Sequence, residues 1–344
     1  VSLITSDIYN KKEMHATGKI MSDEILSDIL AGFTISESNN SVIDPCCGDG
    51  NLLVSAYKRK KEISESNNEN IKHNELLDAI HGIEKDPNLI QLTAFKLIGQ
   101  DLENVNSETR TKLITSDLFQ SYSIEKYDSV VMNPPYLRNE DLLTNEKEDW
   151  LNNIEKIKNS KSFIRNISQP NLYYFFVERA TEMINEKGSA AYILMSKFLN
   201  NQDGTLLKEY LVPYLDALIH YPPSFFKGFA VTTDIFILKH KTRATEKISF
   251  LNIKNTEILR DVNNLKKIIS RKIDVLENDY SVVNIDKQII NPNDNWRLYL
   301  IDPSNKFDKF ISTEGLTTIE SLFPDIKRGK AGNSGGSSNL FPKS

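Results

Sequence analysis

Tyr127-Asp-Ser-Val-Val-Met-Asn-Pro-Pro-Tyr136 is an apolar run that ends in two consecutive prolines. Such a run reads as a buried strand of a parallel sheet. Neither proline can donate to a ladder and each restricts the residue before it, so the strand stops there. The turn holds the Asn133 amide, the Pro134 carbonyl and the Tyr136 ring. It falls at the carboxyl edge of the sheet, where open α/β sheets bind their ligands. An amide oxygen beside a backbone carbonyl can accept both hydrogens of a planar amino group. The tyrosine face can stack on the ring that carries it.

Upstream, strands and helices alternate. Helix Asp23–Ala31, capped by Ser22, precedes strand Ser41–Asp44, the turn Pro45–Gly50 and helix Asn51–Lys61. Residues 62–75 read as a polar surface loop. Strand Ala79–Ile83, a helix opened by Pro87, and strand Lys112–Thr115 follow. This alternation predicts a doubly wound, mostly parallel sheet.

The strand ends carry a pattern. Asp44-Pro-Cys-Cys-Gly-Asp-Gly50 has glycines that allow a tight turn and close approach to a ligand. It lacks the signature of a phosphate loop, and its leading carboxylate suits a cationic or amino-bearing ligand. The second strand ends in Glu84-Lys85-Asp86, with a carboxylate placed for both hydroxyls of a ribose. The third ends in Ser116-Asp117-Leu118-Phe119, where a carboxylate can accept from an adenine amino group and apolar side chains can wall the ring. Each piece alone is weak, since turns, solvated carboxylates and helix caps look the same. Together, in order, they describe a nucleoside with a charged tail and no phosphate, and S-adenosylmethionine fits.

Composition sets the bounds. The 344 residues are 39% hydrophobic and 26% charged, ordinary values for a globular protein. No apolar stretch approaches the roughly 20 residues that span a bilayer. The only cysteines, Cys46 and Cys47, are adjacent, which fits a reduced cytoplasm and offers no zinc site, and no metal is expected. The five histidines, among them His220 and His240, lack ligand spacing. A net charge of −5 neither announces nor excludes a nucleic-acid partner.

Downstream of the turn, residues 138–170 are polar and predict a flexible or substrate-ordered insertion. Helix Leu172–Glu186 stops at Gly188, and strand Ala190–Met195, helix Leu206–Val212 and strands Leu218–Tyr221 and Ile235–Lys239 follow. Residues 245–300 look mixed, with a helix around Glu257–Ser270, and the C-terminus is basic and then Gly/Ser-rich.

The chain resembles the gamma class of amino-methylating DNA methyltransferases, which make N6-methyladenine. Asp44-Pro-Cys-Cys-Gly-Asp-Gly-Asn-Leu-Leu53 resembles the family's Asp-Pro-Ala-Cys-Gly-Ser-Gly-x-Phe-Leu, and Asn133-Pro-Pro-Tyr136 matches its catalytic motif in full. Gly18-Lys-Ile-Met-Ser22 falls where the family has Gly-x-x-x-Thr-Pro, with Asp23 at the proline. Leu172–Ala180 resembles the helix after the catalytic strand, and Phe226 the aromatic that stacks on a flipped base.

The resemblance implies a Rossmann-like methyltransferase fold: a mixed, mostly parallel seven-stranded sheet with helices on both faces. It implies a catalytic domain over 1–245, an extension over 246–315 and the start of a target-recognition region over 316–344. The chain then stops, as a catalytic fragment or a protein whose recognition module is separate would. Asn133, Pro134 and Tyr136 become catalytic, with Tyr136 and Phe226 sandwiching the base and Phe225 and Phe229 competing for Phe226's role. Cofactor contacts fall on Ser22, Asp44, Cys46, Gly48, Gly50, Glu84, Lys85, Asp117, Leu118, Asn133 and Pro135. Lys327, Arg328 and Lys330 become DNA contacts.

The implied substrate is adenine N6 in a specific double-stranded DNA sequence, in a restriction–modification system with a possible separate specificity or restriction subunit and no membrane partner. A protein-glutamine or RNA methyltransferase uses the same turn. The cofactor loop starts at residue 44 and about a hundred residues follow Lys239, which favours DNA over protein. An inactive DNA-binding or cofactor-sensing subunit would not need an intact Asn-Pro-Pro-Tyr.

Overall fold

The computed structural model describes residues 23–120, 125–137, 144–200, 204–222 and 232–301. Helix α1 (Glu24–Thr34) is capped by Asp23, whose carboxylate accepts from the Ile25 amide, one residue later than the expected Ser22 cap. Strand β1 (Val42–Asp44), α2 (Asn51–Ser66), the short α3 (His73–Asp78), β2 (Ile80–Glu84), α4 (Pro87–Ile98), β3 (Lys112–Thr115) and β4 (Tyr127–Met132) follow. Much of the expected surface loop 62–75 is therefore helical: α2 buries Ile63, and α3 buries Leu76 and Leu77.

After the Asn133–Tyr136 turn the chain forms α5 (Thr144–Lys158), α6 (Leu172–Thr181), β5 (Ile184–Met195), α7 (Thr205–Leu211), β6 (Leu215–His220) and β7 (Thr233–Lys239). It continues through β8 (Lys247–Ile253), α8 (Val262–Ser270), β9 (Val275–Leu276), β10 (Tyr280–Asp286) and α9 (Arg297–Ile301). The sheet order is β3-β2-β1-β4-β5-β7-β6-β8-β10-β9. Pairs among β1–β5 are parallel, β7 runs antiparallel between β5 and β6, and β8 returns parallel to β6.

The described sheet thus has ten strands rather than seven. Strands β8 and β10 escaped prediction because serines and asparagines interrupt their apolar alternation. Those groups satisfy one another: Ser249 Oγ donates to Asn284 Oδ1 at 2.7 Å across the β8–β10 pair. The expected helix 257–270 begins only at Val262, after a 3₁₀ turn, with Asp261 accepting from the Asn264 amide.

Two further expectations fail for identifiable reasons. The helix expected to reach Glu186 ends at Thr181, because residues from Ile184 pair with β4. Gly188 is a strand residue whose Cβ would lie 2.8 Å from the Tyr127 carbonyl oxygen, so it serves close strand approach and not a helix stop. The polar insertion, over its described part, is a packed helix and a 3₁₀ turn. Leu151 and Ile154 of α5 are buried, and Trp150 lies against Phe119 and Phe175 at centroid distances of 5.0 and 5.4 Å.

Helices cover both faces. Helices α5, α6, α7 and α9 share one core with Val130, Tyr192, Phe236 and Phe250. On the other face, α1, α2 and α8 pack over Val42, Val131, Ile193 and Ile219. At one end α2, α3 and α4 close a third cluster with Ile80.

Glu178 of α6 is fully buried and fastens the insertion, pairing with Lys158 of α5 and accepting from Ser162 Oγ. Removing one partner of a buried ion pair leaves the other charge unpaired. Glu178→Ala should lose about 3–5 kcal/mol of stability in urea unfolding, and proteolysis should cut first between residues 150 and 166. A loss under about 1 kcal/mol would mean that apolar packing alone holds α5.

Candidate active site

Strands β1 to β4 run parallel, so their carboxyl ends share one edge of the sheet. Asp44 closes β1 and is buried; its Oδ1 accepts from the Cys46 amide at 3.0 Å. Gly48 and Gly50 have φ of 53° and 83°, the left-handed region that glycine tolerates. A Cβ on Gly48 would meet nothing nearer than 4.0 Å, so open space lies beside its backbone. A Cβ on Gly50 would sit 2.6 Å from the Thr93 methyl, so that glycine is required by packing.

Glu84 closes β2 and receives two backbone amides, Gly48 at 3.2 Å and Asp86 at 3.0 Å. Asp117 follows β3; one oxygen accepts from the Phe119 amide at 3.0 Å and the other lies 3.8 Å from Lys85 Nζ. Lys85 is largely exposed, so that pair is weak. Leu118 and Phe119 are buried, and the Phe119 ring packs inside the core against Trp150, Phe175 and Phe176.

The Asn133–Tyr136 turn meets the first loop directly: Cys46 Sγ lies 3.6 Å from the Asn133 carbonyl oxygen. Tyr136 Oη is 2.8 Å from both Asn133 Oδ1 and the Ile193 carbonyl oxygen of β5. Burial pushes the Tyr136 phenol well above its ordinary range, so it stays protonated and donates. Its ring meets Tyr173 edge-on at 6.0 Å. Pro134 is buried, while Asn133, Pro135 and Tyr136 are partly exposed.

The fold therefore brings together Asp44, Cys46, Gly48, Gly50, Glu84, Lys85, Asp117 and the Asn133–Tyr136 turn. Ser22, Phe225, Phe226, Phe229, Lys327, Arg328 and Lys330 lie outside the described residues. Two of the insertion's cations are committed to carboxylates, Lys158 to Glu178 and Arg165 to Glu148 and Glu155. Sequence reading missed Tyr173, the Ile193 carbonyl and Thr93, whose hydroxyl donates to the Gly48 carbonyl at 3.0 Å. An aromatic on a helix and a threonine in a helix interior carry no distinguishing signal.

A family profile described as N-6 DNA Methylase matches residues 7–291. The chain belongs to that family. It is 29% identical over 203 residues to the Type II methyltransferase M.AccI of Acinetobacter calcoaceticus, covering 58% of this chain and 34% of that protein. It is 29% identical over 212 residues to the Type II methyltransferase M.BanIII of Aneurinibacillus aneurinilyticus, covering 59% and 34%. The chain thus spans about a third of the length of these relatives. Among solved structures, the type IIG restriction endonuclease BpuSI shares the fold with a TM-score of 0.66 at 19% identity, over 92% of this chain and 37% of that one.

In this member of the family the first loop is electrostatically loaded. Burial raises the Asp44 carboxyl from an ordinary 3.8 to about 8, and the Glu84 and Asp49 carboxylates add to the rise. Among the described residues, no group of His, Cys, Asp and Glu is arranged to hold a metal, and no helix is long and apolar enough to cross a membrane.

A raised carboxyl pKa has a defined sign in stability. Between about pH 4 and 8 the folded protein keeps a proton on Asp44 that the unfolded chain releases. The ligand-free protein should therefore lose stability as pH rises through that window and level off above it. Asp44→Asn keeps the acceptor for the Cys46 amide and removes the titration. Its melting temperature should fall less than that of the parent from pH 5 to 8.5; parallel profiles would contradict the assignment.

Proposed function

We propose that this domain transfers a methyl group from S-adenosylmethionine to N6 of a flipped-out adenine in double-stranded DNA, within a restriction–modification system. The observation that carries this reading is the contact between the Asn133–Tyr136 turn and the acidic glycine loop, in a chain of the N-6 DNA methylase family. The open space beside Gly48 supports a ligand approaching the loop backbone, and the Glu84 and Asp117 carboxylates, as acceptors, suit ribose hydroxyls and an adenine amino group.

When bound, S-adenosylmethionine supplies an electrophilic methyl group. On this reading Asp44, Cys46, Gly48 and Gly50 hold its tail with Ser22, Glu84 takes the ribose hydroxyls, and Lys85, Asp117, Leu118 and Pro135 border the adenine. Asn133 Oδ1 and the Pro134 carbonyl accept the two hydrogens of the target amino group. That favours a tetrahedral nitrogen with its lone pair exposed, and it stabilises the positive charge that grows there. Tyr136 stacks on the target base with Phe226 opposite, offsetting the few kcal/mol needed to flip it. Much of the acceleration is positioning.

The division that fits this reading is a catalytic domain over 1–245, an extension over 246–315 whose strands β8–β10 widen the sheet, and a recognition region from 316 carrying Lys327, Arg328 and Lys330 toward DNA. A separate specificity or restriction subunit is the natural partner. The unpaired thiols of Cys46 and Cys47 suit a cytoplasmic setting.

Tritium transfer from labelled cofactor, offered duplex DNA, RNA and protein in parallel, tests the reading. Label should enter the DNA alone, as N6-methyladenine; label in RNA or protein alone would overturn it. Asn133→Ala should lower the rate by about 100-fold or more. Tyr136→Ala should lose about 1–3 kcal/mol of base stacking while binding the cofactor normally.

A further inference from the structure

We propose that Thr93 and Lys96 of α4 are positioning residues of the cofactor site, holding the Gly48–Asn51 backbone in the shape that lets Gly48 approach the ligand. The inference rests on the S-adenosylmethionine reading above and goes beyond it, since neither side chain is placed against the ligand.

Gly48 is held on both sides. Its amide donates to Glu84 Oε2 at 3.2 Å, and its carbonyl accepts from Thr93 Oγ1 at 3.0 Å. Thr93 is fully buried and also fills the space that makes Gly50 obligatory. One turn along the same helix face, Lys96 Nζ lies 2.7 Å from Asp49 Oδ2 and 2.9 Å from Asn51 Oδ1. This pair is nearly closed to solvent, with side chains 12% and 9% exposed. The start of α4 is tied to the site as well, because the Asp86 amide donates to Glu84 Oε1 at 3.0 Å. One helix therefore touches the loop at Gly48, Asp49, Gly50 and Asn51 while its own beginning is fixed by the ribose-type carboxylate.

Charge gives Lys96 a second duty. Asp44, Asp49 and Glu84 crowd one loop, and without an ammonium beside it Asp49 would be a nearly buried, uncompensated charge. Such a charge forces the loop to open toward water, which moves the Gly48 backbone.

The test uses the full chain carrying Thr93→Val, Lys96→Met, or Lys96→Met with Asp49→Asn, and reads the S-adenosylmethionine Kd, kcat at saturating cofactor, and melting temperature. Thr93→Val should raise Kd about fivefold and Lys96→Met about tenfold or more, with kcat nearly unchanged. The double variant should recover most of the affinity, since the stranded charge is gone. Should Lys96→Met fail to fold, Thr93→Val and the double variant decide. Variants that melt earlier yet bind within about twofold of the parent would reduce the contacts to fold support and overturn the inference. A parent chain that takes up no S-adenosylmethionine would instead overturn the cofactor reading and this inference with it.

Discussion

Parallel pairing of the three-residue strand β1 between β2 and β4 is the constraint on which the site depends. Val42 faces one apolar core and Ile43 the other. A slip of one residue would put the Asp44 carboxyl where Ile43 now packs in its core, so the polar end of this short strand pins the register. The register places Asp44 opposite Gly82 of β2, and Val42 and Ile43 opposite Ser129 and Val130 of β4. Once it is set, the glycine loop, Glu84 and the Asn133 turn must emerge side by side. Their hydrogen bonds follow from that placement: Gly48 to Glu84, and Cys46 to the Asn133 carbonyl.

The same placement concentrates negative charge. A buried carboxyl at the end of β1, with two more nearby, opposes folding whenever all three ionise. The protein limits this by keeping a proton on Asp44 and by pairing Asp49 with Lys96. A cationic ligand would act in the same direction, since a positive charge near Asp44 favours its ionised form. On the proposed reading, the sulfonium and amino group of the methyl donor relieve strain that the ligand-free fold retains. Functional sites commonly hold such local costs.

Sequence made the first half of the molecule legible because its strand ends are marked by Gly, Pro and acidic residues in fixed order. Asp44, Glu84 and Asp117 each stand at or just past a strand end, as the alternation requires. The second half was less readable. Strands β8 and β10 carry serines and asparagines among their apolar residues, with Ser249 bonded across to Asn284, which hides the period-2 pattern. The insertion read as flexible or substrate-ordered because its polar residues outnumber the few apolar ones, Trp150, Leu151 and Ile154, that seat α5. Long-range pairing ended α6 early, against the helix propensity of Glu182 and Glu186. Thr93 and Lys96 had no mark at all, because their contacts with the loop exist only after α4 packs on it.

The Tyr136 hydroxyl raises a question of proton count. It lies at hydrogen-bonding distance from two oxygens but has one proton, so it can donate to Asn133 Oδ1 or to the Ile193 carbonyl at a given moment. Either bond keeps the phenol end of the ring in the protein, and Tyr173 holds the ring edge-on. On the proposed reading the ring is thus fixed before a base arrives, which spares the ordering cost that a loose aromatic would incur on binding. Asn133 Oδ1 has two lone pairs, and a bond from the phenol occupies one of them. Acceptance from the phenol also withdraws electron density from that oxygen and weakens it as an acceptor. A phenol donating to Ile193 leaves Asn133 the stronger acceptor, so on the proposed reading the backbone carbonyl of β5 is the partner that best serves the chemistry. Tyr136 is then anchored by the sheet itself, through the Ile193 carbonyl of β5.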